Sequence, residues 1–368
     1  MARRSFSVLG IMSGTSLDGM DLALCRFYKQ GRDWHFQILK AQTYDYPKIW
    51  KEKLNEAPKL NAGSFLRLHN DYGKYIGQKV NHFLKANRLK ADLIASHGHT
   101  IFHQPERGFT FQLGSGAILA SHCQTNTVSD FRTLDVALGG QGAPLVPVGD
   151  ELLFGKYMFC LNLGGFANIS NRKGKVRIAG DICPVNIVVN HLAWRCRMKY
   201  DRNGILGSRG NIIPDLVHEL NSLDFYAKPV PKSLGREWIE SEFLPLLEKY
   251  TLPPEDLIRS VYEHIAFQIG NYLNNYEAGE VLVTGGGAFN TFLMDLIRKR
   301  SKSALLIPEV ILVKFKEALI FAFLGLLRYR NEVNCLASVT GARSDSSSGL
   351  IHLYKYKKNG LTYHHRHP

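Results

Sequence analysis

The chain has 368 residues, of which 45% are hydrophobic and 21% charged, and its formal net charge is +14. This balance excludes a disordered or fibrous chain, and the length predicts a folded protein of two domains. No stretch is long and apolar enough for a transmembrane helix, and the Lys and Arg residues are spread out without an RNA-reading or helix-turn-helix pattern. We therefore expect neither a membrane nor a nucleic acid as partner, and the charge suits a solvated surface or anionic small substrates.

The cysteine pattern and the N-terminus bear on the compartment. The six cysteines are scattered, with no Cys-x-x-Cys pair, which predicts reduced thiols and no structural zinc site. The N-terminal apolar run is interrupted by glycine and serine, unlike a secretory signal. We expect a cytoplasmic protein.

The first predicted element is a strand-turn-strand segment from Val8 to Phe27 with an unusual turn. Its glycines let the backbone approach a ligand, and its hydroxyl and carboxyl groups suit a nucleotide and its metal. The turn has neither the Walker A nor the Rossmann pattern, so an ordinary polar hairpin is the alternative to a phosphate site. The candidate nucleotide-binding residues are Gly14, Thr15, Ser16, Leu17, Asp18, Gly19, Met20 and Asp21.

A strand over 34–44 and helices between 48 and 90 follow, and then a short buried strand over 92–96. This strand delivers His97 and His99 at its C-terminal end, where open α/β sheets bind ligands. These histidines and His103 could serve a metal, a substrate or the structure alone. Because no acidic partner completes a zinc spacing, we predict no metal ligand and take His97 as a candidate substrate contact.

The segment from Thr127 to Pro147 combines charged residues with several glycines. Arg132 can bind a phosphate or carboxylate through two parallel hydrogen bonds, and Asp130 or Asp135 can orient it. The glycines suggest a hinge between two domains, with a plain surface turn as the alternative. Arg132 and Asp135 are candidate substrate-binding residues.

Residues 157–170 repeat the design of the first hairpin, with Asn162, Gly164 and Gly165 around the turn. Two such hairpins predict a duplicated core that clamps one phosphate chain from both sides. A strand from Val176 then ends on Asp181, before a helix from about 187 to 195. A carboxylate at that position suits a general base, or else an acid that satisfies helix N-terminal amides.

The last candidate sites lie near the C-terminus. A strand from 280 runs into Gly285, Gly286 and Gly287 and then a helix after Asn290, an arrangement in which a base or ribose can lie against backbone. Residues 304–313 are strand-like. An apolar helix over 316–327 carries Glu317 near its start, either as a helix N-terminal charge or as a substrate ligand.

Together these segments resemble the anhydro-N-acetylmuramic acid kinase family, a branch of the actin, Hsp70 and sugar-kinase superfamily, over nearly the whole chain. The resemblance implies an α/β, two-domain actin-like ATPase fold with a duplicated β-sheet core and an interdomain cleft. We expect the domains to comprise residues 1–135, joined by 343–368, and residues 136–342. The motifs that carry the resemblance are MSGTSLDG (12–19), SHG (96–98), DFR (130–132), LGGQGAPLVP (138–147), NLGG (162–165), GGG (285–287) and EAL (317–319).

The resemblance also implies the chemistry. ATP with Mg²⁺ would phosphorylate O6 of anhydro-N-acetylmuramic acid while water opens its 1,6-anhydro ring, giving N-acetylmuramic acid 6-phosphate in peptidoglycan recycling. The first hairpin would hold the phosphates, the triple-glycine turn the nucleoside, and Asp181 would activate the water. His97, Arg132, Asp135 and Glu317 would contact the sugar, and a homodimer is expected.

One loop departs from the family pattern. The usual Asp-Thr-Gly-Pro-Gly-Asn is Asp181-Ile-Cys-Pro-Val-Asn186 here, which removes a hydroxyl and two glycines. We expect altered phosphate contacts with the base retained. The alternatives are another carbohydrate kinase of the same fold, or a non-catalytic nucleotide-binding protein.

Overall fold

The computed structural model describes residues 5–14, 17, 19–174 and 176–354. They divide into unit 1, which comprises residues up to Ala143 together with those from Glu317, and unit 2, which comprises Pro144–Lys316. The sequence placed residues 136–143 and 317–342 in the second domain, whereas contacts group them with unit 1. Asp135 shows why, because its buried carboxylate accepts hydrogen bonds from the Gly142 N–H and the Thr340 hydroxyl.

Groups of strands alternate with groups of helices along the chain, as expected for an α/β protein. In chain order they are β1 (Ser5–Ser13), β2 (Gly19–Gln30), β3 (Asp33–Asp45), β4 (Leu93–Gln104), β5 (Phe109–Leu113), β6 (Thr127–Ser129), β7 (Phe159–Leu163), β8 (Phe166–Lys173), β9 (Val176–Pro184), β10 (Glu280–Thr284), β11 (Ala304–Leu306) and β12 (Leu350–His352).

The helices range from one turn to seven turns. They are α1 (Lys48–Glu56), α2 (Ala62–Ala86), α3 (Gly116–Cys123), α4 (Thr133–Ala137), α5 (Pro147–Leu153), α6 (Asn186–Arg195), α7 (Ile205–Arg209), α8 (Pro214–Asn221), α9 (Asp224–Ala227), α10 (Arg236–Trp238), α11 (Leu244–Glu248), α12 (Pro254–Asn274), α13 (Thr291–Arg300), α14 (Val310–Tyr329) and α15 (Ala337–Thr340). Short 3₁₀ turns cover Ala57–Lys59, Pro105–Arg107, Arg202–Gly204 and Gly286–Phe289, and Ile239–Phe243 is π-helical.

The two units contain the same sheet topology. In unit 1, β1, β2 and β3 form an antiparallel meander, β4 pairs parallel with β1, and β6 pairs parallel with β4. In unit 2, β7, β8 and β9 form the meander, β10 pairs parallel with β7, and β11 pairs parallel with β10. Unit 1 adds β5 beside β4 and β12 beside β6. The predicted duplicated β-sheet core is confirmed.

Each sheet is covered by long helices that bury apolar faces on it. In unit 1, α2 places Tyr72, Ile76 and Val80 against buried strand residues, and the Asn61 side chain caps its N-terminus by accepting from the Ser64 N–H. In unit 2, α12 and α13 pack with the apolar residues of β7 and β10 in one continuous core. The apolar strand and helix residues form the two cores, and the polar turns at the strand ends lie outside them.

Three predicted element boundaries are wrong for identifiable reasons. β4 continues to Gln104 because β5 pairs antiparallel with its second half, so the three histidines lie within the strand. β9 continues past Asp181 to Pro184 because β8 pairs with it to that point. Residues 310–313, predicted as strand, belong to α14, which is kinked at Phe315 (φ −117°, ψ 15°).

No helix in the described part of the chain is long and apolar enough to span a bilayer.

Candidate active site

The turn between β7 and β8 is the centre of a polar site in unit 2. The Gly164 N–H donates to the Phe166 carbonyl, which closes the turn. The N–H groups of Val185 and Ile187 both donate to the Gly165 carbonyl, and that of Asn186 donates to the Gly164 carbonyl. The predicted second hairpin is therefore bonded directly to the loop that departs from the family pattern.

The triple-glycine turn after β10 packs on the same strand end. Gly285 has φ +84°, which favours glycine, and a Cβ there would lie 2.7 Å from Asn162 Oδ1. A Cβ on Gly287 would lie 2.7 Å from the Leu163 Cβ. The predicted nucleoside turn is thus held against the predicted phosphate hairpin. The Asn290 side chain accepts from the Leu293 N–H and donates to Tyr262, so it caps α13.

Three other glycines at this site are not required by the protein itself. A Cβ on Gly164 would meet nothing closer than Asn162 Nδ2 at 3.4 Å, and one on Gly165 or Gly286 nothing closer than 3.8 Å. None of the three has a left-handed φ. Close approach of a ligand to the backbone explains glycine where neither packing nor conformation does. These residues fit a nucleotide.

Asp181 lies in β9 beside this turn, opposite Asn168 of β8. Its backbone N–H donates to the Lys232 carbonyl, and its carboxylate Oδ2 accepts from the Leu234 N–H at 2.8 Å. Burial raises the pKa of its carboxyl group to about 6, although the hydrogen bond from Leu234 opposes the shift. A carboxyl group with that pKa can accept a proton near neutral pH and release it again.

The first hairpin is only partly described, since Thr15, Ser16 and Asp18 lie outside the described residues. Met20 is fully buried in the core of unit 1, so its side chain is part of the packing. A Cβ on Gly19 would lie 2.9 Å from the Tyr44 carbonyl oxygen. Asp21 accepts from the Thr43 hydroxyl, and burial raises the pKa of its carboxyl group. Gly14 and Leu17 lie at the turn.

A second polar site, in unit 1, is centred on Arg132. Its guanidinium group donates to His97 Nε2 through two nitrogens and to the Gly142 carbonyl through Nη1 at 2.5 Å. Burial lowers the pKa of Arg132 to about 10, while the nearby carboxylates of Glu317 and Asp135 act in the opposite direction. Arg132 stays charged at neutral pH, and its remaining N–H groups can bind an anionic or hydroxyl oxygen.

The other two predicted sugar contacts of unit 1 differ in exposure. The Asp135 carboxylate is buried and accepts from the Gly142 N–H, the Thr340 hydroxyl and the Cys335 thiol, so it anchors the glycine-rich segment. Glu317 is exposed and lies two residues after the kink in α14. It is therefore inside the helix, not at the predicted helix start, and its charge acts on Arg132.

The sequence did not indicate several polar partners. The Ser13 hydroxyl contacts His99 Nδ1 at 2.8 Å and accepts from Tyr46, and the Leu234 amide contacts Asp181. Backbone groups and long-range partners leave no local pattern that could reveal them. Among the described residues, no three His, Cys, Asp or Glu side chains are close enough to hold a metal ion.

Comparisons with known proteins agree on one family. The family profile for anhydro-N-acetylmuramic acid kinase (AnmK) matches residues 6–354. The anhydro-N-acetylmuramic acid kinase of Francisella tularensis subsp. novicida is 35% identical over 94% of this chain and 98% of its own length. That of Bacillus cereus strain Q1 is 32% identical over the same shares.

Among solved structures, component A of (R)-2-hydroxyglutaryl-CoA dehydratase from Acidaminococcus fermentans aligns with a TM-score of 0.44 at 13% identity. The alignment covers 85% of this chain and 95% of that one.

Proposed function

Because the chain belongs to the anhydro-N-acetylmuramic acid kinase family, it is a phosphotransferase with an alcohol acceptor, and we propose how its residues carry out the reaction. Water adds to the anomeric carbon of anhydro-N-acetylmuramic acid, and the bond from that carbon to the bridging O6 breaks. O6 takes the γ-phosphoryl group of ATP and ADP leaves. The product is N-acetylmuramic acid 6-phosphate, an intermediate of peptidoglycan recycling.

The observation that carries this proposal is the family match over residues 6–354, which includes every candidate residue. Asp181 supplies the base in our proposal. Its carboxylate takes a proton from the attacking water, and the raised pKa suits proton transfer near neutral pH. The Leu234 N–H holds one carboxylate oxygen, so the other can face the water.

The nucleotide would lie against the glycine turns. Gly164 and Gly165 would let the phosphates approach the backbone, and Gly286 would do the same for the nucleoside, since a Cβ at each has free space. The family resemblance also assigns phosphate binding to the first hairpin, of which Gly14 and Asp21 are described residues. Mg²⁺, when bound, neutralises phosphate charge. We expect phosphate oxygens and water among its ligands, because Mg²⁺ prefers hard oxygen ligands and usually keeps several waters.

In unit 1 we assign direct sugar contact to Arg132 and Glu317. The Arg132 guanidinium has N–H groups left after its bonds to His97 and Gly142, and the exposed Glu317 carboxylate can accept from a sugar hydroxyl. His97 and Asp135 act indirectly, by positioning other groups. His97 accepts hydrogen bonds from Arg132, and Asp135 accepts one from the Gly142 N–H of the glycine-rich segment. Phosphoryl transfer depends mainly on such positioning and on charge neutralisation.

The decisive experiment combines the purified protein with anhydro-N-acetylmuramic acid, ATP and oxygen-18 water, followed by mass spectrometry of the product. The proposal expects one phosphate on O6 and one labelled oxygen at the anomeric hydroxyl. A phosphorylated product without label would indicate another carbohydrate kinase reaction. ATP binding without any product would indicate a non-catalytic nucleotide-binding protein.

We also propose that the protein is a cytoplasmic homodimer. The family resemblance supports the dimer, and six free cysteines support a reducing compartment. Light scattering after size-exclusion chromatography tests the dimer: a mass near twice 41.5 kDa would support it, and a mass near 41.5 kDa would contradict it.

A further inference from the structure

The segment over residues 230–235 lies along the edge of the unit 2 sheet, where Asp181 is. β9 is the last strand in the order β11-β10-β7-β8-β9, and no described strand pairs with its other side. The segment takes that place at one point: the Lys232 carbonyl accepts from the Asp181 N–H, and the Leu234 N–H donates to Asp181 Oδ2. It therefore bonds to both the backbone and the side chain of the proposed base.

Gly180 shows that the segment packs closely on β9. A Cβ on Gly180 would lie 2.6 Å from the Val230 Cγ1 atom and 3.1 Å from the Lys232 carbonyl oxygen. Gly180 does not have a left-handed φ, so its conformation does not require glycine. Close approach of the segment does require it, at the residue directly before Asp181.

The Lys232 side chain ties this segment to the body of unit 2. Its Nζ donates to the Phe225 carbonyl at 2.9 Å and lies 4.4 Å from the centre of the Phe225 ring and 6.0 Å from that of Tyr226. Lysine side chains usually keep the ammonium group in water, whereas this one is half-buried against two rings, and burial lowers its pKa. Its contacts are those of an anchor.

The rings that Lys232 contacts are themselves held by α12. The Tyr226 hydroxyl lies 2.8 Å from Nε2 of His264, and Nδ1 of His264 lies 2.7 Å from Oδ1 of Asn221. His264 is fully buried, and burial lowers its pKa to about 3, so it is neutral at pH 7. Its Nδ1 then donates to Asn221, and its Nε2 accepts from Tyr226. A core helix thus fixes the surface on which the anchor sits.

The ammonium group does not act on Asp181 through its charge. Burial raises the pKa of the Asp181 carboxyl group, and the Leu234 N–H is the group that opposes this shift. Among the described residues, no ion pair joins Lys232 to Asp181. The other titratable side chain beside Asp181 is Cys183, whose thiol pKa is raised by burial and by the charge of Asp181, so it stays neutral.

We infer that Lys232 is a positioning residue for the proposed base. Its ammonium group anchors the segment, the segment presents the Leu234 N–H, and that N–H fixes one oxygen of the Asp181 carboxylate so that the other can face the attacking water. The inference rests on the proposed function, because it concerns the same base. Since Lys232 bonds to protein groups, its loss should affect the chemical step and not substrate binding.

The kinetic test replaces Lys232 by methionine, which keeps a long apolar side chain but has no N–H donors. We expect kcat for sugar-dependent ADP release to fall about tenfold, with KM for the sugar and for ATP within about twofold of the wild type. Lys232→Arg, which keeps the charge and the donors, should recover most of the loss. Lys228→Met, an exposed lysine before the segment, is the matched control.

A double variant separates positioning from a general loss of structure. If Lys232 acts through Asp181, adding Lys232→Met to Asp181→Asn should lower the remaining rate by less than about twofold, because the base is already absent. A structural role alone would lower the rate by the same factor in both backgrounds. That result would overturn the inference.

Hydrogen exchange measured by mass spectrometry follows the same contact without catalysis. Peptides that contain the Leu234 and Asp181 amides should exchange about tenfold faster in Lys232→Met than in the wild type or Lys228→Met, at a similar melting temperature. Should Lys232→Met not fold, Phe225→Leu, which removes the ring and keeps the carbonyl, provides the comparison.

The outcomes distinguish this inference from the proposed function. An active wild type with unchanged kcat or unchanged exchange in the folded variant would overturn the role of Lys232 and leave the kinase reaction in place. A wild type that makes no ADP from the sugar would refute the proposed reaction. The exchange rates would then decide alone whether Lys232 holds the Leu234 amide on Asp181.

Discussion

Arg132 donates to a single nitrogen of His97 from two guanidinium nitrogens, with Nε at 3.0 Å and Nη2 at 2.9 Å from Nε2. The imidazole can accept both only when Nε2 is unprotonated, and its Nδ1 lies 2.9 Å from the Gly98 carbonyl, which places the proton on Nδ1. Burial, and then the charge of Arg132, hold the pKa of His97 well below its usual range. Neutral His97, with its proton on Nδ1, therefore holds the Arg132 guanidinium group in its orientation.

Replacement of His97 should loosen Arg132 and weaken sugar binding. For His97→Ala we expect KM for the sugar to rise about tenfold with a smaller change in kcat, because a buried acceptor of a charged donor is lost. His97→Gln, whose amide oxygen can accept, should recover part of the loss. His82→Ala, on the exposed face of α2, is the control. An unchanged KM in His97→Ala would show that Arg132 needs no such support.

Asp181→Asn should remove the base but leave the fold intact, since the amide oxygen can still accept from the Leu234 N–H. We expect sugar-dependent ADP release to fall by about 10²–10⁴-fold, the usual contribution of a general base. ATP binding, measured by calorimetry, should stay the same. Asp215→Asn on α8 is exposed and serves as the matched control. Retained turnover in Asp181→Asn would remove this residue as the base.

The pH dependence follows from the same carboxyl group. Its pKa is raised from 3.8 to about 6, so the ionised form that can act as base is populated only as the pH rises through 6. We expect kcat/KM to rise about tenfold per pH unit below 6 and to level off above it. Stability changes with pH in the opposite direction to activity. The folded state binds the Asp181 proton more tightly than the unfolded state, so the contribution of this carboxyl group to the free energy of unfolding declines as the pH rises from 4 to 6. A rate that is flat from pH 4.5 to 8 would contradict the assignment.

The space around each glycine predicts whether its substitution by alanine will weaken nucleotide binding or destabilise the fold. Gly165→Ala and Gly286→Ala add a Cβ into free space, so the free energy of unfolding should change by no more than about 1 kcal/mol. KM for ATP should rise, because the added Cβ occupies the space that the nucleotide would take. Gly287→Ala forces a Cβ against Leu163 and should lower the free energy of unfolding by about 1–3 kcal/mol. Chemical denaturation and ATP titration measure both effects. An unaltered KM for ATP in both open-site variants would show that no nucleotide approaches there.

Local sequence patterns predicted the repeated architecture but not the polar partners. The strand-glycine-strand hairpins at Gly14 and Gly164 are visible because apolar strands flank each turn, and the sheet topology of both units confirms the duplication. The bond between Arg132 and His97 joins residues 35 positions apart on different elements, and no spacing rule predicts it. The extents of β4 and β9 depend on partner strands, which a single segment does not reveal.

The last prediction concerns Val185, in the loop over residues 181–186 that differs from the family pattern. Its side chain is fully buried in the core of unit 2 and its N–H already donates to the Gly165 carbonyl, so neither is placed to contact a phosphate. Val185→Ala should therefore lower the free energy of unfolding by about 1–3 kcal/mol and leave KM for ATP unchanged. Val188→Ala, fully buried in the same core, is the matched control and should behave alike in urea denaturation. A KM for ATP that falls in Val185→Ala alone would mean that this valine obstructs the nucleotide.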